Sequence, residues 1–246
     1  VKSLAVFSLK GGVGKTTAAV NLAHAAATSG GRRTLLWDLD SQGAATLLLR
    51  AAPPPPAARV KARAVLAGDA PLEALVEPTA FPNLSLLPAD RSLRRLEADL
   101  AAAAEPKAMR RHLKALGPRF DRIILDVPPG RSALADRLFR AVDLLVVPAI
   151  PAPLSAAAEA ALAGELARLG ADAPPVLAFW NMVDRRRGLH RRLVEAAPER
   201  PVIPAAAVVE AMAETRAPLA VTAPGSPAAR AFARLWSAVE MALLRA

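Results

Sequence analysis

The residues most suited to chemistry lie at the start of the chain. Residues 8–17 read Ser8-Leu9-Lys10-Gly11-Gly12-Val13-Gly14-Lys15-Thr16-Thr17, after a short apolar run and ahead of a helical pattern. A glycine-rich turn between strand and helix is the setting of a phosphate-binding loop. Gly11, Gly12 and Gly14 let backbone N–H groups turn inward and approach phosphate oxygens closely. A helix opening near Lys15 adds the positive end of its dipole. Lys15 can reach β- and γ-phosphates, and the Thr16 hydroxyl can sit on Mg²⁺. The expected ligand is ATP with Mg²⁺, held by Lys10 through Thr17.

Such a loop needs a carboxylate near the metal and a group to orient the attacking water. Two clusters close apolar runs. One is Leu35-Leu36-Trp37-Asp38-Leu39-Asp40-Ser41-Gln42-Gly43. The other is Ile123-Ile124-Leu125-Asp126-Val127-Pro128-Pro129-Gly130. In open α/β sheets ligands sit beyond the carboxyl ends of the strands, so both clusters can face the loop. A strand-terminal Asp also serves as a plain turn residue or helix cap. Two of them beside a phosphate loop favour function.

One departure from the usual loop is informative. Leu9 stands where glycine is expected, and Lys10 precedes the glycines. Lys-Gly-Gly-x-Gly-Lys-Thr-Thr resembles the deviant Walker loop of the ParA/MinD family of P-loop ATPases. The resemblance implies that Lys10 crosses a dimer interface to the partner subunit's nucleotide. Asp38 through Gly43 resembles the switch I segment of ParA, and Asp126-Val127-Pro128-Pro129 its switch II. By that match Asp40 positions or activates water, Asp126 holds Mg²⁺ through water, and Asp38 supports the metal site. Lys10, Lys15 and Asp40 are then the catalytic set, and Thr16, Asp38 and Asp126 the metal set. Pro82–Ala89, Asn181–Arg185, Ile203-Pro204 and Pro218-Leu219 resemble further family landmarks. By analogy Asn181 and Pro204 lie near the adenine. The likeness runs through nearly all 246 residues, with Pro53–Pro56 as the clearest departure.

The elements that must position these residues follow from alternation. Val1–Ser8, Arg33–Trp37, Asn83–Leu87, Arg122–Leu125, Asp143–Val147 and Val176–Trp180 read as strands. Helices fit 15–29, 91–104, 106–116, 132–140, 154–169, 187–197 and 226–245, with two short ones over 59–77. The expected fold is a single doubly wound α/β domain over 1–246, a mostly parallel sheet flanked by helices. A proline-rich surface segment at 51–58 interrupts it.

Composition narrows the rest. Apolar residues make up 53% of the chain, which excludes a disordered chain. Cysteine is absent, so disulfides, thiolate zinc sites, iron–sulfur clusters and thiol nucleophiles are excluded. His24, His112 and His190 show no metal-ligand pattern. No targeting or membrane-spanning segment is expected, since Pro148, Pro151 and Pro153 break the longest apolar stretch. A cytoplasmic, nucleoid-associated location follows from the resemblance. The formal charge of +10 fits either a solvated basic surface or a polyanion partner. Arg185, Arg186, Arg187, Arg191 and Arg192 form the candidate surface for non-specific DNA. Against DNA, Ala205–Val209 stands where many ParA proteins carry arginines. The final helix spaces Phe232, Leu235, Trp236, Val239 and Leu243 by threes and fours, suiting a core or, less well, a membrane surface. The resemblance implies a homodimer on ATP, slow hydrolysis stimulated by a ParB-like or cargo adaptor protein, and partitioning of a cargo. The alternatives are a MinD-like membrane switch and a nucleotide-held regulator with little turnover.

Overall fold

The computed structural model describes residues 1–51, 61–67, 69–95, 98 and 108–246. The Pro53–Pro56 stretch and most of the helix expected over 91–104 lie outside the described residues.

Eight strands form one sheet in the order β3-β4-β2-β5-β1-β6-β7-β8. They are β1 (Lys2–Val6), β2 (Thr34–Asp38), β3 (Glu77–Pro78), β4 (Leu84–Leu87), β5 (Arg122–Asp126), β6 (Leu144–Ala149), β7 (Val176–Val183) and β8 (Val202–Pro204). All pairings are parallel except β3 with β4 at the edge. Side chains alternate between faces along each strand. Leu4, Val6, Leu36, Ile124 and Val146 pack against helix α1 (Lys15–Thr28) and the C-terminal helix Pro227–Arg245. Ala5, Phe7, Trp37, Ile123, Leu125 and Val147 pack on the other face, against the helices Ala108–Leu116, Ala133–Phe139 and Pro153–Ala167. Strands buried on both faces require the uninterrupted apolar runs seen in the sequence.

Helix α1 is buried almost all round, and alanines at 18, 19, 23, 25, 26 and 27 let it lie close between sheet and C-terminal helix. The apolar stripe of that last helix, Phe232, Leu235, Trp236, Val239 and Leu243, is committed to this core. Each such side chain contributes roughly 1.5–3 kcal/mol on burial. It is therefore not offered to a lipid surface. Among the described residues no helix is long and apolar enough to cross a membrane.

The structure adds elements that the apolar pattern did not announce. Helix α2 (Ala44–Leu49) follows the Asp38–Gly43 segment, and strands β3 and β8 each carry a proline. The expected 59–77 helices are α3 (Ala62–Ala67) and a 3₁₀ turn at Leu72–Leu75. Residues 91–95 also form a 3₁₀ turn. Ala205–Val209 leads from β8 into a short helical turn at Ala207–Glu210, with Ala206, Val208 and Val209 packed on the core. Trp37 and Trp180 are both buried, as core residues.

Candidate nucleotide site

Parallel register places the candidate carboxylates side by side. Asp38 pairs with Asp126 at the ends of β2 and β5, and Asp126 pairs with Val6 at the end of β1. The glycine loop departs just beyond Val6. Alternation puts Asp38 and Asp126 on the α1 face, the face occupied by Leu36 and Ile124.

The loop closes on itself. The Lys10 amide donates to Ser8 Oγ at 3.2 Å, and Lys15 Nζ donates to the Lys10 carbonyl at 3.4 Å. Gly12 and Gly14 have φ of 73° and 84°, in the left-handed region that glycine tolerates at no steric cost. Gly14 is the N-cap of α1. Lys10, Gly11 and Gly12 are exposed at the mouth, whereas Val13 and Lys15 are buried and Gly14, Thr16 and Thr17 half-buried. Burial lowers the Lys15 pKa, opposed by the nearby charges of Asp126 and Asp40.

Asp126 is buried with neither carboxylate oxygen hydrogen-bonded. Desolvation, then the charge of Asp38, pushes its pKa up to about 8, while Thr16 and Lys15 pull it down. Asp38 is equally buried but fully engaged. Its Oδ2 accepts from the Thr46 amide at 2.8 Å and the Thr46 hydroxyl at 2.7 Å, and its Oδ1 from the Asp40 amide at 3.1 Å. Desolvation still raises it to about 6. Thr46 Oγ1 in turn accepts from the Ala89 amide at 2.8 Å. This chain ties β2, α2 and the segment after β4 together behind Asp40. Asp40 is half-buried, and its Oδ1 accepts from the Gln42 amide at 2.9 Å. The switch II candidate touches the loop where the Gly130 amide donates to the Ser8 carbonyl at 3.4 Å.

Asn181 also meets the loop. Its Nδ2 donates to the Val13 carbonyl at 2.8 Å, and a Cβ added at Gly14 would lie 2.4 Å from that nitrogen. Asn181 thus presses on the backbone of the loop itself. Pro204 ends β8, paired with Val183 of β7. Thr46 is a structural partner that sequence reasoning passed over, and Ser8 and Ala89 were quoted there without a structural role. Thr46 follows Gly43 by three residues, but no periodic pattern marks the short helix that carries it.

Among the described residues no group of three or more His, Cys, Asp or Glu is arranged to hold a metal by itself. The orphaned Asp126 carboxylate beside the Thr16 hydroxyl nonetheless fits Mg²⁺, which retains waters and is completed by phosphate oxygens.

A family model described as an AAA domain, of the ParA/MinD type, matches residues 1–170. The chain belongs to the ParA/MinD family of P-loop ATPases. It is 34% identical over 146 residues to the chromosome partitioning protein ParA of Myxococcus xanthus, covering 59% of this chain and 50% of that protein. It is 39% identical over 148 residues to the chromosome-partitioning ATPase Soj of Thermus thermophilus, covering 60% and 54% respectively. The chain spans about half the length of these curated relatives. Among solved structures, cobyrinic acid a,c-diamide synthase of Mycobacterium smegmatis, bound to an ATP analogue and magnesium, superposes with a TM-score of 0.79. That match has 28% identity and covers 97% of this chain and 94% of the other.

The arginines expected to meet DNA are all exposed, around the helix Gly188–Glu195. Arg186 is forked onto Asp184, with Nε–Oδ1 at 3.0 Å and Nη2–Oδ2 at 3.1 Å. Arg191 Nη1 donates to the Arg185 carbonyl at 3.2 Å. The buried His190 anchors the turn by accepting the Asp184 amide on Nδ1 at 3.1 Å.

Proposed function

We propose that the chain is a ParA-type, Mg²⁺-dependent ATP hydrolase that dimerises on ATP and binds DNA without sequence preference. Its output is the positioning or partitioning of a plasmid, chromosome or protein cargo on the nucleoid, in the cytoplasm. The observation that carries this reading is Asp126, buried beside Thr16 and Lys15 of a Lys-Gly-Gly-x-Gly-Lys-Thr-Thr loop with no hydrogen bond on either carboxylate oxygen. Maintaining such a carboxylate is costly unless a bound cation relieves it.

When bound, Mg²⁺ draws charge from the phosphate oxygens. The roles given to the chain's own residues rest on the family resemblance. Lys10 through Thr17 hold the phosphates, with Lys15 turning from the Lys10 carbonyl toward them. Thr16 and Asp126 face the metal, and Asp38 holds the Asp40 segment in place through its amide. Asp40 orients the attacking water. Lys10, exposed at the mouth, reaches the nucleotide of a second copy. Asn181 and Pro204 flank the adenine, Asn181 through its hold on the loop. Hydrolysis is slow in the isolated chain and rises with a ParB-like or adaptor partner. The exposed arginines at 185–192 contact DNA phosphates, with Arg186 the least available because of Asp184.

Phosphate release with Mg·ATP and duplex DNA binding across a salt series test the reading. Hydrolysis that disappears in Asp40→Ala, together with salt-sensitive DNA binding seen only with ATP, supports it. Failure to bind ATP at all overturns the enzyme assignment. Hydrolysis without ATP-dependent DNA binding overturns the nucleoid role alone.

A further inference from the structure

A cleft of about 650 Å³ opens beside the switch segment, away from the phosphate loop's own contacts. Three stretches distant in sequence converge on it: Ser41–Gly43 with α2, the Asp90–Arg94 turn, and Arg216. Its charge is strongly one-sided. Arg50 is neutralised by a bidentate pair with Glu77, at 2.8 and 2.9 Å. Among the described lining residues Asp90 is the carboxylate, held ionised by its hydrogen bonds and outnumbered by three arginines. It accepts from Ala62 at 2.9 Å and Ser92 at 2.7 Å. Arg91, Arg94 and Arg216 are exposed and have no ion pair among the described residues. Arg216 adopts φ 48°, closing the Met212–Thr215 helix in a conformation that glycine usually takes. A guanidinium therefore occupies a cap position that a residue without a side chain would fill more easily.

The cleft is not purely cationic. Leu47, 51% exposed, lies among these arginines with Ala89 beside it. A nucleic-acid backbone gains nothing from an exposed leucine. A peptide that carries both carboxylates and an apolar side chain satisfies the whole surface, with the apolar anchor central and the charges around it.

We propose that this cleft docks an acidic segment of a partner protein, with carboxylates on Arg91, Arg94 and Arg216 and one apolar side chain on Leu47. The occupant lies against Ser41, Gln42 and Gly43. Gln42 is bonded through its amide to Asp40, so docking bears directly on the segment that carries Asp40. That last coupling rests on the function proposed above; the docking itself does not.

The test uses the full chain without nucleotide and a fluorescein-labelled peptide of leucines spaced among glutamates, read by anisotropy. An all-glutamate peptide and a random duplex DNA serve as competitors. Saturable binding is expected, weakened roughly tenfold or more in Arg91→Glu/Arg94→Glu and severalfold in Leu47→Ser. Arg234→Glu, an exposed arginine on the C-terminal helix outside the cleft, leaves it unchanged. No saturable binding, equal competition by the all-glutamate peptide or by DNA, or cleft variants that bind like the unmodified chain would each overturn the proposal. Because no ATP is present, absence of ATP hydrolysis in a separate assay would count against the enzyme assignment and leave the docking result intact.

Discussion

Replacing Asp126 with asparagine is expected to stabilise the nucleotide-free protein while removing its metal-dependent chemistry. A free aspartate titrates near 3.9, whereas Asp126 in the fold is pushed up to about 8 by burial and by Asp38. Between those values the folded state holds a proton that the unfolded chain has released. The contribution of this group to stability is therefore fullest below about pH 3.9 and is lost as pH rises through about 8. Near pH 7 the span from 3.9 upward corresponds to at most about 4 kcal/mol, at 1.36 kcal/mol per unit. Relaxation of the interior reduces the working figure to about 2–4 kcal/mol, a large share of the 5–15 kcal/mol that holds a domain together. The Asp126→Asn side chain is neutral at every pH and removes this contribution; Asp38, raised to about 6 by burial, adds a slope of the same sign, while Asp121, held at about 2 by Arg33, and Glu240, lowered by Arg122, add slopes of the opposite sign at acid pH. Urea unfolding without nucleotide or Mg²⁺, repeated from acid to mildly alkaline pH, reads the effect directly. The gap between the two midpoints should widen from about pH 4 to about pH 8, with Asp126→Asn the higher above neutrality. Parallel curves, or a variant less stable at alkaline pH, would refute the argument that an unpaired buried charge is the controlling feature.

Three further outcomes follow from the same geometry. Thr46→Val keeps shape but deprives Asp38 Oδ2 of a donor and the Ala89 amide of its acceptor, so unfolding free energy should drop by about 2–4 kcal/mol; Thr46→Ser should restore most of it, and equal stability of both variants would exclude the network. Gly14→Ala must place a Cβ 2.4 Å from Asn181 Nδ2 on a left-handed backbone, so about 2–4 kcal/mol of stability and nearly all nucleotide affinity should be lost, as calorimetric titration with Mg·ATP would show. Asp40→Ala removes a half-buried carboxylate whose hydrogen bond is to the local Gln42 amide, so ATP binding should persist while phosphate release ceases; retained turnover would take Asp40 out of the chemistry.

The sequence announced the strands best where burial on both faces forces every residue to be apolar. Six of the eight strands, β1, β2, β4, β5, β6 and β7, fall within a residue or a few of the expected runs. β3 and β8 escaped because each is short, lies at a sheet edge, and contains proline, which can stand there because edge positions leave an amide partner unneeded. Helix α2 escaped because six residues give no periodicity to detect. The loop and the two strand-end clusters were legible because phosphate chemistry dictates both residue type and local spacing. What could not be read was how the carboxylates differ. Asp38 and Asp126 look alike in sequence, each ending an apolar strand. Only the fold brings Thr46 and Ala89 behind one and sets the other beside the Thr16 hydroxyl and the Lys15 charge. The same limit applies to Asn181. Its contact with Val13 spans 168 residues, and no local pattern encodes it.

That contact makes the loop and the basic face parts of one short lever. Asn181 grips the loop backbone, Met182 follows with φ 54°, and Asp184 holds Arg186 and, through its amide, His190. Two residues separate the grip from the clasp, one of them already in a backbone region that non-glycine residues rarely occupy. A chain so short and so constrained has little slack to absorb movement. The glycine loop and the arginine surface are joined through the end of β7. The exposed arginine face and the backbone of the glycine loop are thus positioned by the same few peptide bonds.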